Sequence, residues 1–275
     1  HDSAQLYKLN ETNPYVEAFF AWWESDLHRS LQELRITGGE PLMSGYTWKL
    51  IDWFASNKGR SQTRLAINSN LGSQVDIDRL LSSTQNMAID IYTSNEAIGL
   101  QAEYIRDGLV WADWMHNVER LLSSNQFRGI HVMCTINALC LDSLDQLLEH
   151  ILQWKIKYGR DAISFTLNIL RFPSFQSPLI LPPALKTHYK TVLETWLAQN
   201  SHSEFLHEHE INHLQRLIDY LDVVKTPHSD AFDQPKLLND FRQFYTQYDQ
   251  RRSKDFGTAF PQLKEWYDSL QIQQQ

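Results

Sequence analysis

The chain has 275 residues, of which 42% are hydrophobic, which is enough for one large α/β domain or for a domain with an extension. Its formal net charge of −8 argues against nucleic acid as a partner, because phosphate recognition needs clustered Lys and Arg. The absence of a long apolar run and of a secretory signal in the sequence argues against a membrane partner. Two cysteines, Cys134 and Cys140, are too few for a disulfide framework, which predicts a reducing, cytoplasmic compartment.

Strands alternate with helices in the first part of the chain. An amphipathic helix over residues 14–31 precedes a strand at 34–37, a sharp turn and a helix at 45–57. Four further strands are expected at 64–68, 87–92, 130–136 and 162–170, with helices near 75–82, 100–106, 111–123 and 144–158. This alternation predicts right-handed βαβ units and a parallel sheet or barrel.

The pattern changes at residues 173–183, where four prolines mark a long loop. Beyond the loop, helices are expected at 184–199, 203–221 and 235–249, followed by a last helix after Pro261. The sequence therefore divides into an α/β domain, 1–173, and a helical C-terminal extension, 174–275.

Polar residues follow all five predicted strands, at the end of the sheet where α/β enzymes place their active sites. They are Thr37 and Glu40, Asn68 and Asn70, Ser94 and Glu96, Asn137, and Arg171. Each one alone is equally well explained as a cap of the next helix. Because all five strand ends carry such groups, we expect a ligand site there.

The turn Gly38-Gly39-Glu40-Pro41 is the most informative of these segments. Its two glycines permit positive φ and a close approach of the backbone to a ligand, and Pro41 suits the start of a helix. Glu40 would then present its carboxylate near the ligand. The same tetrapeptide is also typical of a tight strand–helix turn without function.

Several segments resemble radical S-adenosylmethionine (radical SAM) enzymes, in the family's order and each after a predicted strand. Residues 36–42, Ile-Thr-Gly-Gly-Glu-Pro-Leu, are similar to the glycine-rich motif of that family, and Asn68-Ser69-Asn70-Leu71 to its Asn-x-Asn-Leu. Residues 94–99 and 103–108 resemble the next family segment. Residues 251–263 are similar to the tail of the subgroup that carries a twitch domain.

The resemblance implies a cofactor site for S-adenosylmethionine. Gly38, Gly39, Glu40 and Pro41 would hold the methionine ammonium, in part through a charge-assisted bond, and Ser94 and Glu96 would bind the ribose hydroxyls. Residues 170–173, with Arg171, would lie against the adenine. Asn68, Asn70 and Asn137 would face the same mouth as further cofactor contacts. No catalytic residue and no metal ligand is assigned.

The chain departs from the family at its iron–sulfur site. Radical SAM enzymes bind a [4Fe–4S] cluster through Cys-x3-Cys-x2-Cys after their first strand, and this sequence lacks both that motif and auxiliary-cluster cysteines. Cys134 and Cys140 are instead expected to be small buried hydrophobes. We expect the cluster segment and the first strand to precede residue 1, which is His and not Met. The strand at 34–37 should then lie at an open edge.

The expected fold is thus a partial (β/α)6 TIM-like barrel of the radical SAM type with a helical C-terminal extension. The resemblance implies that the complete protein, with an external electron donor, reductively cleaves S-adenosylmethionine. The resulting 5′-deoxyadenosyl radical would abstract hydrogen from a peptide or a small molecule. The chain by itself would be inactive, and a non-catalytic binding module that keeps this fold is the first alternative.

A zinc hydrolase is the second alternative, because His209-Glu210-Ile211-Asn212-His213 matches the pattern His-Glu-x-x-His. His202, His207 and His228 lie near enough in sequence to supply a third ligand. Helical spacing, however, places His209 and His213 away from the apolar stripe of their helix. We therefore expect a solvated surface at this motif and no metal site.

Overall fold

The computed structural model describes residues 13–57, 59–85, 87–223 and 233–270, and at its centre is a five-stranded parallel sheet. The strands are β1 (Glu33–Ile36), β2 (Arg64–Asn68), β3 (Ile89–Ser94), β4 (Phe127–Ile136) and β5 (Ile163–Ile169). They pair in the order β1-β2-β3-β4-β5, and every pair is parallel. The predicted parallel α/β sheet is confirmed, and β1 lies at its edge as expected.

The helices follow the predicted order. Before β1, α1 (Pro14–Trp22) continues through a π-helical turn into α2 (His28–Ser30). The helices that connect the strands are α3 (Gly45–Ser56), α4 (Gln74–Ser83), α5 (Gly99–Ile105), α6 (Trp111–Ser124) and α7 (Leu144–Tyr158). After β5 come α8 (Pro183–Asn200), α9 (Glu208–Leu221), α10 (Gln234–Arg252), α11 (Phe256–Ala259) and α12 (Lys264–Ser269). No helix in the described part of the chain is long and apolar enough to cross a membrane.

Two helix predictions differ from the structure in detail. Helix α9 begins at Glu208 and not at 203, because Glu210 reaches back to accept the His207 backbone N–H at 2.8 Å and so fixes the first turn. Helix α11 is absent from the predictions. Four residues are too few to show a helical period, and Asp255 caps the helix through the Thr258 N–H.

The two faces of the sheet differ in character because side chains alternate along each strand. One face is apolar and packs against the connecting helices. Its fully buried side chains include Ile67, Ile91, Val132 and Phe165. The other face, here called the polar face, carries a row of register partners on adjacent strands. They are Asn68, Tyr92, His131 and Ser164.

The C-terminal helices share one hydrophobic core with the sheet. Phe241 and Tyr245 of α10 belong to the same buried cluster as the strand residues. Tyr104 of α5 donates to Asp249 of α10 at 2.6 Å, and Tyr248 donates to the Tyr104 carbonyl at 2.8 Å. The division at residue 173 stays a prediction, since shared burial does not mark a boundary.

Helix α9 covers the outer edge of β5 with side chains in place of a neighbouring strand. The Phe165 N–H donates to Glu210 Oε1 at 3.0 Å, and the Leu167 N–H donates to His213 Nδ1 at 2.9 Å. Arg216 donates to the Leu167 carbonyl at 2.6 Å. These bonds satisfy backbone groups that an exposed edge would offer to another strand.

A buried ion pair fixes this contact. Lys155 Nζ lies 3.0 Å from Glu210 Oε2, and both side chains are 0% exposed. Lys155 also donates to the carbonyls of Arg160 and Ile163, at 2.9 and 2.8 Å. Burial of two charges is tolerated where each is hydrogen-bonded in this way.

Replacement of Glu210 should therefore destabilise the protein strongly. Glu210→Ala leaves the Lys155 ammonium buried without its partner, a change that costs about 3–5 kcal/mol in other buried pairs. Urea unfolding would measure the loss, with Glu208→Ala as the matched control. Glu208 is exposed on the same helix, so its removal should cost at most about 1 kcal/mol. Equal losses for the two variants would contradict the role given to the ion pair.

Candidate functional site

A cavity of about 520 Å³ opens where β1, β2 and β3 end, and its volume lies within the usual range of small-molecule sites, about 300–1,000 Å³. It is called the polar cavity below. Five of the predicted site residues line it: Gly38, Gly39, Asn68, Asn70 and Ser94. Ser69, Gly72, Tyr92 and residues 105–109 complete the lining. Segments that are distant in sequence therefore meet at one place, because parallel strands end at the same edge of a sheet.

The turn after β1 presents bare backbone to the polar cavity. Gly38 has φ +134°, in the region that glycine alone adopts readily. A Cβ at Gly38 or at Gly39 would meet no atom within 4 Å. The peptide groups of this turn are thus open to a ligand, which is the arrangement that the glycine pair predicts. Pro41, in contrast, is buried and begins a short 3-10 turn.

The Glu40 carboxylate holds two loops together. Its Oε1 accepts the Leu42 N–H at 3.2 Å, and its Oε2 accepts the Asn70 N–H at 2.7 Å. Glu40 is not among the residues that line the polar cavity. The geometry therefore makes Glu40 a positioning residue that ties the turn after β1 to the turn after β2, and the predicted ammonium contact stays a prediction.

The asparagines at the end of β2 are also partly engaged by the protein. Asn68 Oδ1 accepts from Arg35 Nε at 3.2 Å, and Asn70 Oδ1 accepts the Gly72 N–H at 2.8 Å. The second bond is an Asx turn, which shapes the loop after the strand. Both residues nevertheless line the polar cavity, so they combine a structural contact with access to a ligand.

A second cavity, of about 310 Å³, adjoins the first through Ile105 and Arg106, which line both. It is called the aromatic cavity, since Tyr104 of α5 and three aromatic residues of α10 line it: Phe244, Tyr245 and Tyr248. Glu96, Asn137 and Leu170 also line it. The aromatic residues of α10 are not among the predicted site residues. Their spacing places them on one helix face, but a buried core face gives the same pattern.

Glu96 stands at the junction of the cavities in a buried ion pair. Arg106 donates to Glu96 Oε2 from Nε at 2.9 Å and from Nη2 at 2.6 Å, and the Glu96 side chain is 4% exposed. Burial raises the pKa of the Glu96 carboxyl, and the neighbouring Arg106 opposes this rise. Asn137 is engaged likewise, because its Oδ1 accepts the Leu139 N–H at 2.8 Å.

Arg171 lines neither cavity. Arg171 is exposed, and its guanidinium carbon lies 6.0 Å from the centre of the Tyr220 ring. Of the ten predicted site residues, the structure thus places five in the polar cavity and Glu96 and Asn137 in the aromatic one. The remaining three, Glu40, Pro41 and Arg171, contact other parts of the protein.

The two thiols do not fit an iron–sulfur cluster. Cys134 and Cys140 are both 0% exposed, and burial raises the pKa of each thiol. The Cys140 Sγ also exchanges hydrogen bonds with the Asn137 backbone. Cluster ligation needs accessible thiolates. Across the described ranges, no group of three or more His, Cys, Asp or Glu is placed to hold a metal ion.

The His-Glu-x-x-His motif serves the sheet edge. Its Glu210 is fully buried in the pair with Lys155, so the expected solvated surface is wrong at this position. His213 Nδ1 accepts a backbone N–H, which leaves the proton of the neutral ring on Nε2 and no free ring nitrogen for zinc. His228, one predicted third ligand, lies outside the described residues.

Comparison of the chain with models of known families, with curated proteins and with solved structures gave no match. Its function must therefore be inferred from the geometry of these cavities and from the motifs that line them.

The His213 contact should make the fold sensitive to acid. Burial lowers the pKa of His213, and Arg216 and His209 lower it further. The unfolded chain then binds this proton at a higher pH than the folded chain, so stability is present above about pH 6.5 and falls as the pH drops toward the folded pKa. We expect His213→Ala to be less stable than the parent at pH 8. Its free energy of unfolding should also fall less steeply than that of the parent between pH 7 and 5.

Urea midpoints measured across this pH range would check the effect. Some loss should remain in His213→Ala, because the pKa values of His131 and His207 are lowered as well. His202→Ala, at an exposed position, is the control and should keep the parent slope. An unchanged slope in His213→Ala would refute the assignment.

Proposed function

We propose that this chain binds S-adenosylmethionine at the carboxyl ends of its strands, as part of a radical SAM enzyme. One observation carries this proposal: three of the four segments that resemble the family line the polar cavity. They contribute Gly38 and Gly39 from the first segment, Asn68 and Asn70 from the second, and Ser94 from the third. Motif order along the sequence alone does not require this convergence.

We further propose that the sheet is a partial (β/α)6 barrel. Doubly wound sheets reverse their strand order at a switch point, whereas here the order follows the sequence throughout. Connecting helices on one face suit a sheet that curves toward closure. A sixth strand would pair with the outer edge of β1, since α9 already covers the outer edge of β5.

The two adjoining cavities suit the two ends of S-adenosylmethionine. The methionine part, with its ammonium and carboxylate, would lie against the open peptide groups of Gly38 and Gly39 in the polar cavity. The ribose would lie at the junction, near Ser94 and Glu96. The adenine would enter the aromatic cavity against Leu170, where planar rings stack favourably on aromatic side chains.

The residues of this chain do not fit a [4Fe–4S] cluster, so the reductive chemistry requires ligands from outside it. In radical SAM enzymes an external electron donor reduces the cluster, and the reduced cluster supplies the electron that cleaves the cofactor. The part proposed for this chain is to bind and orient the cofactor and to exclude water. Hydrogen abstraction from a peptide or small-molecule substrate would require this chain together with the cluster and its ligands. The proposed location is cytoplasmic, which the free, buried thiols suit.

A binding module without catalysis is the second candidate. Glu40 and Glu96, the two carboxylates that the resemblance assigns to the ligand, are both engaged within the protein. Such a module would bind S-adenosylmethionine without cleaving it. The assembled protein, supplied with cluster ligands and a reductant, distinguishes the two candidates by whether 5′-deoxyadenosine is formed.

Substitution of Gly38 should weaken binding of S-adenosylmethionine. Gly38→Ala forces a Cβ onto a backbone with φ +134°, a strain of about 1–3 kcal/mol, which corresponds to roughly a fivefold to 150-fold loss of affinity where the turn relaxes away from the ligand. Equilibrium dialysis with labelled S-adenosylmethionine would measure it. Gly45→Ala is the matched control, because a Cβ there also meets nothing within 4 Å and Gly45 lacks a positive φ. Equal affinity for the two variants would contradict the proposed site.

The role of Glu40 can be tested separately. Glu40→Ala removes the acceptor of two backbone N–H groups, and bonds to a charged group are worth about 1.5–3 kcal/mol. We expect affinity for S-adenosylmethionine to fall by about tenfold to a hundredfold. Glu40→Gln keeps one acceptor oxygen and should lose less. Calorimetry would compare both with His209→Ala, which should bind like the parent; parent-like binding by Glu40→Ala would show that the turn needs no carboxylate.

A further inference from the structure

Three side chains on adjacent strands form a hydrogen-bonded chain across the polar face of the sheet. Ser164 Oγ of β5 lies 2.7 Å from His131 Nδ1 of β4, and His131 Nε2 lies 3.4 Å from Asp90 Oδ1 of β3. A serine, an imidazole and a carboxylate in this order are the residue types of a nucleophilic triad. None of the three lines the polar or the aromatic cavity.

The partners decide where the proton of His131 lies. An ionised carboxylate can only accept, so His131 Nε2 carries the ring proton and donates it toward Asp90. Nδ1 is then the unprotonated nitrogen, and the Ser164 hydroxyl donates to it. This is the protonation state in which an imidazole can take a proton from a serine.

Two neighbouring residues, Gly129 and Arg128, help to position His131 and Asp90. Gly129 lies two residues before His131 on the same face, and a Cβ there would stand 3.3 Å from His131 Cε1 and 3.1 Å from the Asp161 carbonyl oxygen. The glycine thus leaves the space into which the imidazole leans toward Asp90. Arg128 Nη1 lies 3.3 Å from Asp90 Oδ2 and fixes the carboxylate from its other side.

The imidazole is neutral and within reach of a ligand. Burial lowers the pKa of His131; Asp90 opposes this, while Arg35 and His209 lower it further. The side chain remains 29% exposed. The Tyr92 ring lies 4.6 Å from the imidazole, centre to centre, and Tyr92 lines the polar cavity. A small molecule in that cavity therefore lies next to the ring that contacts His131.

We propose that Ser164, His131 and Asp90 form a second active site, which hydrolyses small carboxylic esters through an acyl-serine. Ser164 is half-buried and would be the nucleophile. His131 would be the general base, and Asp90 would hold its tautomer. This activity is independent of the binding of S-adenosylmethionine.

The reaction is balanced without a further reagent. Ser164 Oγ bonds to the ester carbonyl carbon while its proton passes to His131 Nδ1. The ester C–O bond then breaks, and the proton passes from Nδ1 to the departing alkoxide, which leaves as an alcohol. Water attacks the acyl-serine with the same transfer of its proton to Nδ1, and Ser164 regains a proton as the carboxylic acid leaves.

The oxyanion has weaker support here than in dedicated hydrolases. Next to Ser164 on β5, the Phe165 N–H already donates to Glu210, so the developing charge would depend on a cation such as Arg35, which acts electrostatically on His131. Loss of one oxyanion donor costs about 10²–10³ in kcat elsewhere. We therefore expect slow turnover, so covalent labelling of Ser164 is a more sensitive test of the nucleophile than the rate of ester hydrolysis.

A fluorophosphonate probe tests the nucleophile directly. The probe forms an O–P bond with an activated serine and releases fluoride, and mass spectrometry of the digested protein locates the adduct. We expect stoichiometric labelling at Ser164, none there in Ser164→Ala, and labelling slowed about 10²–10⁴-fold in His131→Gln, in line with the usual effect of a general base. p-Nitrophenyl acetate should acetylate the same serine.

Control variants separate this proposal from a purely structural chain of hydrogen bonds. Ser123 is exposed and bonds to Tyr158 at 3.0 Å, so Ser123→Ala should label like the parent. Gly129→Ala should slow labelling by displacing the imidazole, with circular dichroism to confirm that each variant is folded. Absence of label at Ser164 in the folded parent, or an equal rate in His131→Gln, would overturn the proposal.

Discussion

The handedness of the strand connections is the constraint on which the rest of this structure depends. Right-handed crossovers between parallel strands that follow one another in sequence place every connecting helix on the same face of the sheet. That face must then be apolar, and Ile67, Ile91 and Val132 fill it. The other face is left free of crossover helices and can carry charge. All strand ends meet at one edge, which is where the polar cavity opens.

Charged groups occupy two very different environments in this fold. Lys155 and Glu210 are withdrawn from water entirely, and their full set of hydrogen bonds explains why burial is tolerated. Arg35 stays exposed and stacks on Tyr92, with its guanidinium carbon 3.4 Å from the ring centre. The first contact secures α9 against β5, whereas the second organises a surface that remains open to ligands.

The polar face differs from the interior of a closed βα barrel, which is filled by branched apolar side chains in layers. Here the middle row across β2 to β5 is Asn68, Tyr92, His131 and Ser164. Such a row does not form a packed core. It is suited to hydrogen bonding and proton transfer, and its Tyr92 borders the polar cavity. The two proposed activities therefore use neighbouring surfaces of one sheet without sharing a residue in their chemistry.

Local patterns in the sequence were sufficient to predict the strands, the turn at Gly38 and the polar residues at the strand ends. These features depend on periodicity, on positive φ and on the common direction of parallel strands, and all three can be recognised without coordinates. Glu40 shows the limit of that reasoning. Its position near the cavity follows from the sequence, but its two backbone partners do not, because one of them is Asn70, thirty residues away.

The tertiary structure alone decided which side chains meet. The His-Glu-x-x-His motif covers the outer edge of β5, because Glu210 and His213 accept hydrogen bonds from backbone N–H groups of that strand. The bonded residues are more than forty positions apart in sequence. The same holds for Asp90, His131 and Ser164, which lie on three strands at interior positions where a sequence pattern expects ordinary sheet residues. Strand register brings them together, and register depends on the packing of the whole sheet rather than on any local signal.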